Sequence, residues 1–205
     1  VLNLYIVRHG ETEWNKEHRI QGRLDSQLTE KGKLYARALG EKLKDTEFDQ
    51  VITSPSERTV ETAEWICGNR NIPIIKDERI MEMHMGPWQG MTTEEIMNKY
   101  PFEYECFMHR PKEYRNEEAE CFSDMVQRAE SFIQDLKKRT GNLLIITHGL
   151  FIKTLYVIFK EMDLNDFWKE QTVEGTSLTI IKLESDKMEW VLQGDMSHIT
   201  ENISK

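Results

Sequence analysis

Leu143, Leu144, Ile145 and Ile146 form an uninterrupted apolar run that ends in Thr147, His148 and Gly149. A strand with apolar side chains on both faces must be covered on both, which selects a central parallel strand between two layers of helices. A second stretch, Leu4-Tyr5-Ile6-Val7 followed by Arg8-His9-Gly10, has the same plan. Each strand hands a histidine and a glycine to the carboxyl edge of the sheet, where ligands bind in open α/β folds. If the two strands are parallel neighbours, His9 and His148 emerge side by side in one crevice. Gly10 and Gly149 would then let the backbone approach a ligand.

The rest of the chain alternates in the same way. A helix is expected over 28–45, with Thr29 as N-cap and Leu34, Ala38 and Leu39 recurring at helical spacing. A strand at 50–54, a helix at 56–68 ending near Gly68, and a short strand at 72–75 follow. The stretch from Met91 to Phe122 is richer in charge and aromatics, with a helix at 92–100 for which Thr92 and Glu95 have capping-box spacing and Pro101 marks the stop. Regular alternation resumes with a helix at 123–141, whose Ala129, Phe132, Ile133 and Leu136 share a face. The strand ending at Thr147, a helix at 150–159 and strands at 177–183 and 189–193 close the chain. The expected architecture is a three-layer α/β/α sandwich with a mostly parallel central sheet. A length of 205 residues suits one domain, 1–205, with a lid-like excursion at about 91–122.

A net charge of −9 argues against nucleic acid or an anionic membrane as partner. No run approaches a membrane span, and the N-terminus shows neither a basic start nor a signal-type apolar region, so a cytoplasmic location is expected. Three cysteines, an odd number in no metal-like or redox spacing, read as reduced thiols. An acidic exterior still permits a local arginine cluster that holds a small anion. Guanidinium forks match the oxygens of a phosphate monoester. Arg8 supplies one, and Arg58, at the start of the helix after Ile52-Thr53-Ser54-Pro55, can supply another beside that helix's positive end.

The motifs Arg8-His9-Gly10-Glu11-Thr12-Glu13-Trp14-Asn15, the 56–63 segment around Arg58, an isolated Glu82 with Gly86, Trp88 and Gly90, and Thr147-His148-Gly149 occur in this order. Together they resemble the histidine phosphatase superfamily, the phosphoglycerate-mutase-like group, and most closely its bacterial broad-specificity phosphatases. The resemblance implies a phosphoglycerate mutase-like fold and a metal-independent phosphomonoesterase without a cofactor, acting on small phosphorylated metabolites. In that scheme His9 is the nucleophile that forms a phosphohistidine, and Arg8, Arg58 and His148 hold the phosphoryl oxygens. Glu82 protonates the leaving group and then activates water. Alternation in 80–86 sets Met81, Met83 and Met85 on one face of an extended segment, with Glu82 and His84 on the other. Asn15 and Gln21 match positions that bind the phosphate, and Gly149 brings an amide to it.

His84, Trp88, His109 and Arg110 are candidates for the substrate pocket, each standing against a reading as packing or surface. His198 is without an assigned role and His18 reads as surface. An aromatic mouth built from Trp88, Phe102, Tyr104, Phe107 and Tyr114 stands against simple packing. Three other readings remain open. One is a 2,3-bisphosphoglycerate-dependent mutase, which this excursion with only Arg110 and Arg115 disfavours. The second is an α-ribazole phosphatase. The third is a non-catalytic phosphate-binding module, which would be expected to lack His9 or Glu82. Monomer and homodimer are both compatible with the sequence.

Overall fold

The computed structural model describes residues 1–184 and 187–200. The chain runs β1 (Leu2–Arg8), α1 (Glu13–Lys16), α2 (Glu30–Lys42), β2 (Gln50–Thr53), α3 (Glu57–Cys67), β3 (Ile74–Lys76), α4 (Thr93–Lys99), α5 (Pro101–His109), α6 (Phe122–Leu136), β4 (Gly141–Thr147), α7 (Gly149–Phe159), β5 (Leu178–Glu184) and β6 (Lys187–Asp195). One six-stranded sheet has the order β3-β2-β4-β1-β5-β6. The pairs β3-β2, β2-β4 and β4-β1 are parallel, and β5 is antiparallel to both β1 and β6.

Strand alternation divides the core between the two faces. Leu4, Ile6, Leu143 and Ile145 pack with Phe132, Ile133, Phe151 and Ile152 beneath α6 and α7. Val7, Leu144 and Ile146 pack with Ala36, Leu39, Ala63 and Ile66 beneath α2 and α3. The apolar run of β4 is thus covered on both sides, as a central strand must be. The expected face of α6, Ala129 through Leu136, is buried throughout.

One local expectation is corrected. The buried residues of α2 are Gly32, Ala36 and Leu39, and Leu34 is exposed. The helix is rolled because Gly32 lies against the loop after β1, where a Cβ at Gly32 would sit 2.3 Å from the Glu11 carbonyl oxygen. A Cβ on Gly10 would likewise meet the Gly32 carbonyl oxygen at 2.9 Å. Glycine at 10 is therefore required by the approach of α2, not only by a ligand. Pro101 marks the stop of α4, which ends at Lys99 with Tyr100 as its non-helical C-cap, and it is also the first residue of α5, where its missing N–H is no loss.

The excursion has its own apolar centre. Trp88, Phe107, Tyr114 and Phe122 are buried there with Met83, Met85 and Val157, against Phe167 of a 3-10 turn at Leu164–Lys169. Trp88 contacts Tyr100, Tyr104, Phe107 and Tyr114, with ring centroids between 5.3 and 6.4 Å. Trp88 and Tyr114 are fully buried while Phe102 is 68% exposed, so the expected aromatic mouth is mostly internal packing. Trp88→Ala should lower unfolding free energy by about 3–5 kcal/mol in denaturant titrations, whereas Phe102→Ala should cost less than about 0.5 kcal/mol. Similar small losses for both would contradict this placement.

Candidate active site

The register of β1 and β4 pairs Arg8 with Thr147, so the next residues, His9 and His148, leave the sheet at the same level. The His9 amide continues the ladder by donating to the Thr147 carbonyl at 2.9 Å. The two imidazoles lie 5.4 Å apart between centroids, inclined at 63°. His9 Nδ1 is 2.8 Å from the Gly10 carbonyl oxygen, to which it must donate. That contact selects the tautomer whose Nε2 carries the free lone pair.

Arg58 is 1% exposed at the start of α3. Its Nη1 donates to the Leu24 carbonyl at 2.8 Å and to Asp25 Oδ1 at 2.6 Å. Its Nη2 donates to the Gly22 carbonyl at 2.8 Å and to His148 Nδ1 at 3.1 Å. With Nδ1 accepting, the His148 proton sits on Nε2, which donates to Ser54 Oγ at 2.8 Å. Arg8 Nη1 donates to the Val173 carbonyl at 2.6 Å. The Nε atoms of Arg8 and Arg58 are buried without a hydrogen-bond partner among the described residues. A buried donor left unpaired costs about 1–3 kcal/mol, more on a charged group, so both favour an incoming anion.

The carboxylate of Glu82 is held at the start of α7, where Oε2 accepts from the Leu150 amide at 3.2 Å and Oε1 from the Met83 amide at 2.9 Å. Asn15 Oδ1 accepts from Thr12, closing a capping box on α1. Gln21 Oε1 accepts from Ser26 Oγ at 2.9 Å. In both amides the oxygen is occupied within the protein.

Desolvation holds the proton affinity of His9 well below the usual histidine range, reinforced by the charges of Arg58 and Arg8 and opposed by the bond to Gly10. Desolvation, Arg58 and then His9 and Arg8 act in the same direction on His148. Burial also lowers the value for Arg8, against the attraction of Glu82 and Glu174. Both imidazoles are therefore neutral near neutral pH.

A cleft of about 430 Å³ collects these groups: Arg8, His9, Asn15, Gln21, Arg58, Glu82 and Gly149 are all on its wall. His148 lies behind it, reaching it through Arg58 and His9. The four pocket candidates are elsewhere. Trp88 is sealed in the aromatic cluster. His109 is exposed at the end of α5, and Arg110 pairs with Glu105 and Glu113. His84 is tied through its amide and carbonyl to Glu120 and is partly exposed, alternating with buried Met83 and Met85 in a non-helical stretch between two 3-10 turns at Glu78–Ile80 and Gly86–Trp88. Met83 and Met85 are buried while Met81 is partly exposed. His198 is buried, bonds Thr176 Oγ1 at 3.0 Å, and is held down to about 4 by desolvation and Lys42. His18 is exposed.

Several contributors were not singled out from the sequence. Ser54 and Asp25 hold His148 and Arg58, and Met108, Leu150, Lys153 and Trp168 form the far wall together with Phe107, the one residue of the expected aromatic mouth that lines the cleft. Ser54 carried a usable signal, since it directly follows β2 at the same sheet edge as His9 and His148.

Comparison with known proteins agrees with the geometry. Phosphoserine phosphatase 1 of Hydrogenobacter thermophilus is 32% identical over 186 residues, 90% of this chain and 88% of that protein. The structure of YhfR from Bacillus stearothermophilus superposes with a TM-score of 0.92 at 42% identity, covering 97% of this chain and 99% of that one. A mutant phosphoserine phosphatase from Entamoeba histolytica, solved in complex with phosphoserine, superposes with a TM-score of 0.85 at 26% identity, covering 98% and 100%. Residues 4–196 match the profile of the histidine phosphatase superfamily (branch 1), and the chain belongs to that family.

Proposed function

We propose that the protein is a phosphomonoester hydrolase in which Nε2 of His9 attacks phosphorus and water then cleaves the phosphohistidine. The observation that carries this reading is a neutral, oriented imidazole facing two guanidinium groups with unpaired Nε–H donors. An in-line displacement needs a free lone pair on one side and positive charge around the equatorial oxygens, and Arg8 and Arg58 supply that charge. Their contacts with backbone and Asp25 hold them in place before substrate arrives, so little reorganisation is left for the reaction. Neutral His148 accepts from Arg58 and orients it. The amide nitrogens of Asn15 and Gln21 and the backbone of Gly149 face the same anion.

Glu82 stands at the cleft wall as the proton donor to the leaving oxygen. Once that oxygen departs, the same group as carboxylate takes a proton from the attacking water. Hydrolysis is favoured over a mutase because the excursion directs no arginine to the cleft. Arg110 pairs with Glu105 and Glu113, and Arg115 Nη1 bonds the carbonyls of Lys112 and Tyr114. Small phosphorylated metabolites fit the volume of the cleft, and three free thiols suit the reducing cytoplasm.

Two outcomes follow. Glu82→Gln should slow kcat on an alkyl phosphate by about 10²–10⁴-fold and on 4-nitrophenyl phosphate far less, because nitrophenolate leaves without a proton. Equal losses on the two esters would remove the acid role. In single-turnover experiments with 4-nitrophenyl phosphate, the acid limb of the phosphorylation step belongs to His9. Protonation blocks attack, and a lowered proton affinity moves that limb below pH 6.5. A limb due to His9 at or above 6.5 would contradict the electrostatic account.

A further inference from the structure

Lys153, with Arg19 and Glu170, is one of three charged residues on the cleft wall that the phosphoryl chemistry leaves unused. It lies on α7 four residues after Gly149, so both share one side of the helix, about 6 Å apart along its axis. The residue is 8% exposed. Its Nζ donates to the Glu170 carbonyl at 3.0 Å and lies 5.0 Å from the centroid of the Trp168 ring. Trp168 is itself held by a bond from Nε1 to the Phe107 carbonyl at 2.7 Å. An ammonium has three donors, and one of these is accounted for.

The ammonium also forms no ion pair among the described residues. Glu170, whose charge acts on it, has both carboxylate oxygens on Lys160 Nζ, at 2.8 and 2.9 Å, and one on Gln193. Desolvation lowers the proton affinity of Lys153, against the pull of Glu170. A buried cation without a counter-ion is costly, and in a ligand cleft that cost is relieved by an anionic group on the ligand. Phe107, Met108 and Leu150 line the same cleft.

We propose that Lys153 is the specificity residue of this cleft and that it binds a carboxylate on the leaving group of the substrate while the phosphoryl group lies at His9. The inference rests on the phosphatase reading and names its substrate class, phosphorylated hydroxy acids. One ammonium balances one negative charge, whereas the phosphoryl end meets a dianion with two guanidinium groups. The third arginine on the cleft wall, Arg19, is committed to the Gly90 carbonyl and to Glu17 and Glu95. A monoanionic carboxylate therefore fits better than a second phosphate.

The test compares wild type, Lys153→Met and Lys153→Arg on O-phosphoserine, phosphoethanolamine, 4-nitrophenyl phosphate and fructose 1,6-bisphosphate. Phosphoethanolamine is phosphoserine without its carboxylate. Wild type should favour phosphoserine over phosphoethanolamine in kcat/KM. Lys153→Met should lose about 10- to 100-fold more on phosphoserine than on 4-nitrophenyl phosphate, mainly through KM, with partial recovery in Lys153→Arg. Equal losses on all esters would overturn the proposal, since that is what a role confined to holding Glu170 and Trp168 produces. A Lys153-dependent preference for the bisphosphate would overturn it too. Calorimetry separates this inference from the phosphatase reading. In a His9→Ala background, adding Lys153→Met should weaken phosphoserine binding about tenfold, and unchanged affinity would refute the role of Lys153 whether or not the protein hydrolyses esters.

Discussion

The in-register parallel pairing of β1 with β4 is the constraint on which the site depends. Arg8 faces Thr147 across the ladder, and the bond from the His9 amide to the Thr147 carbonyl carries the pairing one residue past the strand. His9 and His148 are thereby set 5.4 Å apart by sheet geometry instead of by loops. Strand β2, pairing with the other edge of β4, delivers Ser54 to the same level, where it meets His148. The helices that follow these strands, α3 and α7, bring Arg58 and Gly149. A slip of one residue between β1 and β4 would turn the apolar set of β1 to the wrong faces and separate the histidines at the same time. The core and the site are therefore specified by the same pairing.

The buried Arg58 and the partly buried Arg8 guanidinium groups, beside two neutral imidazoles, make an arrangement that is electrostatically unfavourable without an anion. The loop after β1 offsets much of it, because the Gly22 and Leu24 carbonyls and the Asp25 carboxylate surround Arg58. What remains is unpaired Nε donors on both arginines, and on His9 a lowered proton affinity that keeps the imidazole neutral. That clustering of positive charge is of the kind that a phosphate dianion balances.

Much of this was legible in the sequence where a short-range rule applied. The doubly apolar strand, Thr29 as a cap, the buried face of α6 and the pair of strand-end histidines follow from periodicity and local chemistry. The partners of those residues depend on long-range contacts and were not. Asp25 meets Arg58 across 33 residues, and Lys153 meets the Glu170 carbonyl across 17. The roll of α2 is set by a backbone approach between Gly32 and Glu11 that no hydropathy pattern encodes. Trp88, His109 and Arg110 stood in the sequence between pocket and packing or surface, a choice that burial in the aromatic cluster, exposure and the pairs with Glu105 and Glu113 decide and that no local pattern carries. Most of the far wall was missed for a related reason: Leu150 and Trp168, which join Phe107 of the expected aromatic mouth, come from separate elements brought together by packing of the excursion on α7.

The central claim is that the sheet positions His9 as a nucleophile with its Nε2 free. The most direct measurement is rapid quenching of the wild-type protein during turnover of a reactive phosphate ester, followed by phosphorus NMR and tandem mass spectrometry of the denatured chain. The account predicts a phosphoryl group on Nε2 of His9, formed and lost at rates that sustain turnover. A phosphoryl group on another residue, or release of phosphate with no covalent enzyme species on that timescale, would contradict it.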